Sequence, residues 1–158
     1  MSRVLVLAIS MAAITAPALA QETVPYAYRP PTLGDSYVPD LGYIMGDAQL
    51  RHIKLWLAGK DKNWELANYE FSQLLSRLNE SIRLYRNIPV EQIEKADAPL
   101  MELNAAIKLK NAGQFDTAFR KVTDSCNTCH REANVGFIVM KIPTTSPFSD
   151  QSFLPNSK

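Results

Sequence analysis

Trp64, Ala67, Phe71, Leu74, Leu78, Ile82 and Tyr85 follow one another at steps of three and four without a miss. Side chains so spaced line up along one face of an α-helix, which gives this stretch an apolar flank that must find a partner. The chain supplies three more flanks of the same kind. Leu41, Met45, Ala48, His52, Leu55 and Gly59 predict a first helix over about 40–58, opened by Asp40 as N-cap after Pro39 and stopping near Gly59. Asp61 is the expected cap of the second helix and Pro89 its end. A short linker bearing Glu91, Glu94 and Lys95 then leads to Asp97, with Pro99 in the first turn of a third helix. Leu100, Leu103 and Ile107 face inward there, and Gly113 is expected to close it. Phe115, Ala118, Phe119, Val122, Cys126, Cys129 and Ala133 form the fourth stripe. No segment alternates like a strand before Phe137-Ile138-Val139-Met140. Four amphipathic helices with short connections predict an all-α fold, an antiparallel up-down-up-down four-helix bundle over 40–134. An irregular lead-in at 21–39, with four prolines, and an extended tail at 135–158, either wrapped on the bundle or loose, complete the chain.

The fourth stripe carries the chemistry. Cys126-Asn127-Thr128-Cys129-His130 has the form C-x-x-C-H, the pattern by which haem is attached covalently. Two thiols three residues apart lie about one turn apart on one side of a helix, so both reach the two vinyl groups of one porphyrin edge. The next histidine then offers an imidazole nitrogen to the iron as proximal ligand. Three other readings of the same residues stand beside this one. A thioredoxin-like thiol pair normally opens a helix after a strand, in a β/α alternation that this chain lacks. Zinc needs four ligands, and Cys126, Cys129, His130 and His52 are the only soft candidates. A disulfide across two intervening residues closes a very short, strained loop.

Met1-Ser2-Arg3, the apolar run Val4 to Ala13 and Ala18-Leu19-Ala20 read as a cleavable secretory signal at 1–20. The run is short for a membrane span. Export agrees with haem attachment, which follows translocation in bacteria, and predicts a periplasmic protein. Removing Arg3 with that segment leaves 16 Lys and Arg against 16 Asp and Glu, a neutral balance that argues against nucleic acid or an anionic membrane as partner. No Ser/His/Asp set, carboxylate pair or phosphate-binding loop points to an enzyme.

The first and fourth helices run antiparallel in this topology, so the start of one lies level with the end of the other. Met45 is about one turn into the first helix and His130 about one turn from the end of the fourth; His52 is about 10 Å further along the axis. Met45 is therefore the expected sixth ligand, with His52 or an open position as alternatives. Gln49, on the same face, is placed to donate a hydrogen bond to a bound ligand. Arg51, Lys54 and Arg131 are candidates for pairing with the haem propionates, and Trp56 and Trp64 for packing.

An exported chain, four amphipathic helices and C-x-x-C-H late in the last helix together resemble the cytochrome c-prime class of bundle cytochromes, over about residues 40–134. The resemblance implies one haem c, a proximal histidine matching His130 and a distal residue from the first helix. Low-spin members use a methionine that Met45 matches in place; high-spin members keep an apolar distal face and bind nitric oxide or carbon monoxide. The lead-in, the tail and the run Gln49-Leu50-Arg51-His52 depart from that pattern. The expected function is one-electron transfer with a transient redox partner. Alternatives are a five-coordinate gas-binding protein, a thiol oxidoreductase lacking haem, or a haem subunit of a larger enzyme. An exposed face of the first two helices offers a homodimer contact.

Overall fold

A computed structural model describes residues 37–85, 88 and 90–156, the side chains of 90 and 92–94 excepted. The expected signal at 1–20, residues 21–36 of the lead-in and the expected helix end at Pro89 lie outside the described residues. Four helices form: α1 (Leu41–Lys60), α2 (Trp64–Leu84), α3 (Val90–Lys108) and α4 (Ala112–Glu132). No strand forms among the described residues, and residues 137–140 are irregular. No helix among them is long and apolar enough to cross a membrane.

Asp40 opens α1 as expected, its Oδ1 accepting the Gly42 N–H at 2.7 Å. The next two boundaries differ from expectation for one shared reason. Lys62 (φ 59°) and Lys110 (φ 54°) are left-handed, donating their N–H groups to Gly59 O and Ile107 O; the asparagine after each donates to Ala58 O or Ala106 O. This is the Schellman closure, achieved without glycine. The same asparagines then cap the following helix, Asn63 Oδ1 accepting from Leu66 N at 3.1 Å and Asn111 Oδ1 from Gln114 N at 3.0 Å. Asp61 is thus the C-cap of α1, not the N-cap of α2, and Gly113 lies inside α4 instead of closing α3. One asparagine ending a helix and starting the next makes each connection tight enough to force antiparallel neighbours.

The third helix starts at Val90, well before the expected Asp97, and carries Pro99 in its interior. Pro99 removes one N–H from the helix ladder, leaving the Lys95 carbonyl without its donor. Lys95 is an exposed residue, and a carbonyl freed on the solvent side of a helix can bond to water instead.

Contacts between α1 and α4 fix the topology. Gly59 meets the Phe115 ring, Trp56 packs tilted against Phe119 with centroids 4.9 Å apart, and His52 Nε2 lies 2.9 Å from Thr123 Oγ1. Each turn toward the start of α1 is matched by one turn toward the end of α4, so the two are antiparallel. Arg51 reaches Glu70 across the α1/α2 pair and Lys121 reaches Glu102 across α3/α4. The order is up-down-up-down. Buried Leu55, Trp56, Phe71, Leu74, Leu103, Ile107, Phe115 and Phe119 fill the interior. Full burial of each such side chain contributes about 1.5–3 kcal/mol.

His52, an alternative ligand in the sequence reading, is a core residue. It is 1% exposed, and its ring packs against Phe119 at 4.5 Å. Thr123 donates its hydroxyl proton to Phe119 O, so its Oγ1 accepts from the Nε2–H of His52. Among the described residues, Nδ1 is a buried acceptor without a partner. Burial pushes the imidazole down from 6.5 to about 4. As pH falls the unfolded chain therefore takes up this proton first. The stabilisation is complete above about 6.5 and is lost between there and 4, amounting to ~3 kcal/mol. Denaturant titrations between pH 7 and pH 4.5 should show this slope, and a His52→Gln variant should lack about one proton's share of it. An unaltered slope in that variant would remove His52 from the account.

The tail wraps the bundle. Asn127 grips Met140, Lys54 sits 5.0 Å over the Phe148 ring, Phe153 enters the core at 5% exposure, and Asn63 Nδ2 donates to Leu154 O at 3.1 Å. It runs from the end of α4 back to the α1–α2 turn.

Candidate functional site

The last turns of α4 present Cys126, Cys129 and His130, all partly buried. The two cysteines are free thiols. Burial first, and then the neighbouring Cys129, pushes the Cys126 thiol up to about 11; burial also raises Cys129. Both stay protonated at neutral pH. A redox dithiol needs the opposite shift, usually supplied by a helix N-terminus. These thiols sit at the negative end of α4, where the helix dipole disfavours thiolate. Neither thiol has the lowered pKa on which a cycling dithiol depends. Among the described residues no three His, Cys, Asp or Glu side chains converge as a metal cluster would require.

His130 is held by the tail. Its Nδ1 lies 2.8 Å from Ile138 O, and since a carbonyl only accepts, Nδ1 carries the proton. In a neutral ring so bonded the lone pair lies on Nε2, the form an imidazole needs to bind a metal while its other nitrogen is anchored. The backbone behind Ile138 is fixed in turn. Asn134 is left-handed (φ 60°) and donates to Arg131 O, Val135 N donates to His130 O, and Ile138 N donates to Val135 O. A third Schellman closure thus turns the chain back on α4. On the other side of Ile138, the Asn127 side chain accepts from Met140 N at 2.7 Å and donates to Met140 O at 3.0 Å.

Met45 is partly buried on α1. Continuing the register of Gly59–Phe115, Trp56–Phe119 and His52–Thr123 by two turns sets Met45 level with His130. His52 is level with Thr123 and bonded to it, two turns from the histidine of the motif. Other candidates are engaged elsewhere. Gln49 is exposed, off the inner face where the period put it. Arg51 pairs with Asp47 at 3.1 Å and with buried Glu70 at 3.3 Å; Arg131 donates to Thr128 Oγ1. Trp56 and Trp64 pack in the aromatic core, as expected. The sequence reading missed Asn127 and Ile138. Asn127 is a variable position of the motif, and a backbone acceptor such as the Ile138 carbonyl leaves no trace in side-chain pattern.

No protein-family model matches the chain, and neither curated proteins nor solved structures give a significant match.

Proposed function

We propose that the chain is a periplasmic monohaem c-type cytochrome, exported by a signal at 1–20, that carries single electrons between transient protein partners. The observation that carries this reading is C-x-x-C-H at the end of α4 with a histidine whose Nδ1–H is donated to a backbone carbonyl. Cys126 and Cys129 would hold the porphyrin as thioethers, and His130 would offer Nε2 to the iron. When bound, haem supplies a one-electron ferric/ferrous couple. Met45 is the sixth ligand in this reading, a soft thioether that favours the ferrous state. The resemblance to the cytochrome c-prime class supports the same assignment through the position of the motif and the bundle architecture.

The test is the visible spectrum of the exported protein, oxidised and reduced, with and without carbon monoxide. A sharp reduced α band with no response to the gas is the expected result. A broad high-spin spectrum that shifts on adding carbon monoxide would replace electron transfer by gas binding at an open distal face. Absence of a Soret band in a host that matures haem c would end the haem reading altogether. His130→Ala should lose native axial ligation while most of the covalently held haem remains, and an unchanged spectrum in that variant would refute His130 as ligand.

A further inference from the structure

We propose that Asn127, through its grip on Met140, is a positioning residue that sets how His130 binds iron and thereby the reduction potential. The inference rests on the reading of His130 as the proximal ligand. An imidazole on a helix turns freely about its last side-chain bond unless its second nitrogen is held. Here that nitrogen donates to Ile138 O at 2.8 Å, which fixes both the tautomer and the direction of the Nε2 lone pair. A carbonyl so placed also makes the imidazole a stronger donor, which favours ferric iron and lowers the potential.

The carbonyl belongs to an irregular segment, so its own position has to be secured. On one side the left-handed turn at Asn134 does this. On the other, Asn127 bonds both the N–H and the C=O of Met140, as a neighbouring strand would. Both groups of its amide are used, so neither alanine nor aspartate can replace it. Asn127 lies one residue after Cys126, so the turn of helix that carries the thiols also carries the clamp. Phe137 and Val139 are exposed at 82% and 60%, so side-chain packing does not hold this stretch in place. The hydrogen bonds do.

The experiment compares the haem-loaded wild type with Asn127→Ala, Asn127→Asp and Thr128→Ala. Thr128 is the other variable residue of the motif; it donates to Asp124 O, accepts from Arg131 and makes no bond to the described residues of the tail. Potentiometric titration followed in the visible spectrum gives the potential, and proton NMR gives the exchange of the His130 Nδ1–H with solvent. Asn127→Ala should shift the ferric/ferrous equilibrium about tenfold toward ferrous, about 59 mV upward for one electron. It should also speed the Nδ1–H exchange by at least tenfold. Asn127→Asp should move both readings the same way, and Thr128→Ala should move neither. Helix content measured by circular dichroism should stay as in the wild type for all three. Potentials and exchange rates unchanged in both Asn127 variants would overturn the clamp while leaving the haem reading intact. A wild type that takes up no haem would overturn both.

Discussion

Replacing Cys126 and Cys129 together by alanine should yield a protein with no haem that survives denaturing electrophoresis, whereas the wild type should carry a band that stains for haem. Each single variant keeps one thiol, and with it a single thioether and a smaller stained fraction. The effect is all-or-none for the pair because these are the chain's only cysteines. It should not arise from collapse of the fold. Both side chains are partly exposed and form no disulfide, so each loses only the packing of a sulfur atom, about 1 kcal/mol. The helical circular dichroism of the double variant prepared without haem should therefore match that of the wild type prepared the same way. Stained haem persisting in the double variant would exclude thioether attachment at this motif.

The second large effect is structural and has an internal control. Gly59 lies buried in the last turn of α1, and a Cβ there would overlap Cζ and Cε1 of the Phe115 ring. Phe115 is 1% exposed and walled in by Trp56, Trp64 and Phe119, so the ring has nowhere to go. Alanine gains about 1 kcal/mol of helix propensity but meets an overpacking term of about 3 kcal/mol. Gly59→Ala should therefore destabilise the bundle by about 2 kcal/mol. Gly46 stands in the same helix with nothing within 4 Å of its Cβ position. Only the propensity term acts there, so Gly46→Ala should stabilise by about 0.8 kcal/mol. Chemical denaturation of the two variants decides the matter, and a Gly59→Ala variant as stable as the wild type or more so would show that the Gly59–Phe115 contact is not as close as described.

Those two glycines also mark what the sequence can and cannot convey. The period placed Gly59 on the inner face of the first helix, correctly, but gave it the role of a stop signal. Its reason is a neighbour 56 positions away in the chain, Phe115, which no local pattern announces. Helix existence was legible because burial repeats with the helical turn. Helix ends were less so. Lysine takes the left-handed position where glycine would be the expected signal, so Asp61 and Gly113 drew the boundary away from Asn63 and Asn111. Pro99 misled for a similar reason, since proline is favoured in a first turn but is tolerated inside a helix wherever the freed carbonyl meets water.

The site divides along the same line. The C-x-x-C-H pattern is written in consecutive residues and is legible as a pattern directly. The expectation that Met45 lies level with His130 comes from topology alone, because antiparallel helices map one set of residue numbers onto the other. His52 shares its stripe with Met45, and its burial, its packing on Phe119 and its bond to Thr123 mark it as a core imidazole. The anchor of His130 was beyond reach, because one partner is a main-chain oxygen and the other is held by a side chain whose type the motif leaves free.

The route of the tail bears on how the molecule assembles. The bond from Asn63 to Leu154 joins positions 91 residues apart, whereas the two helical hairpins close through connections of a few residues. Short loops close first, and long ones wait for a surface to close upon. The hairpins α1–α2 and α3–α4 should form early, and the strap that orients His130 should dock last, on a bundle already built. Both thiols would then be in place on their helix before the histidine beside them is aimed.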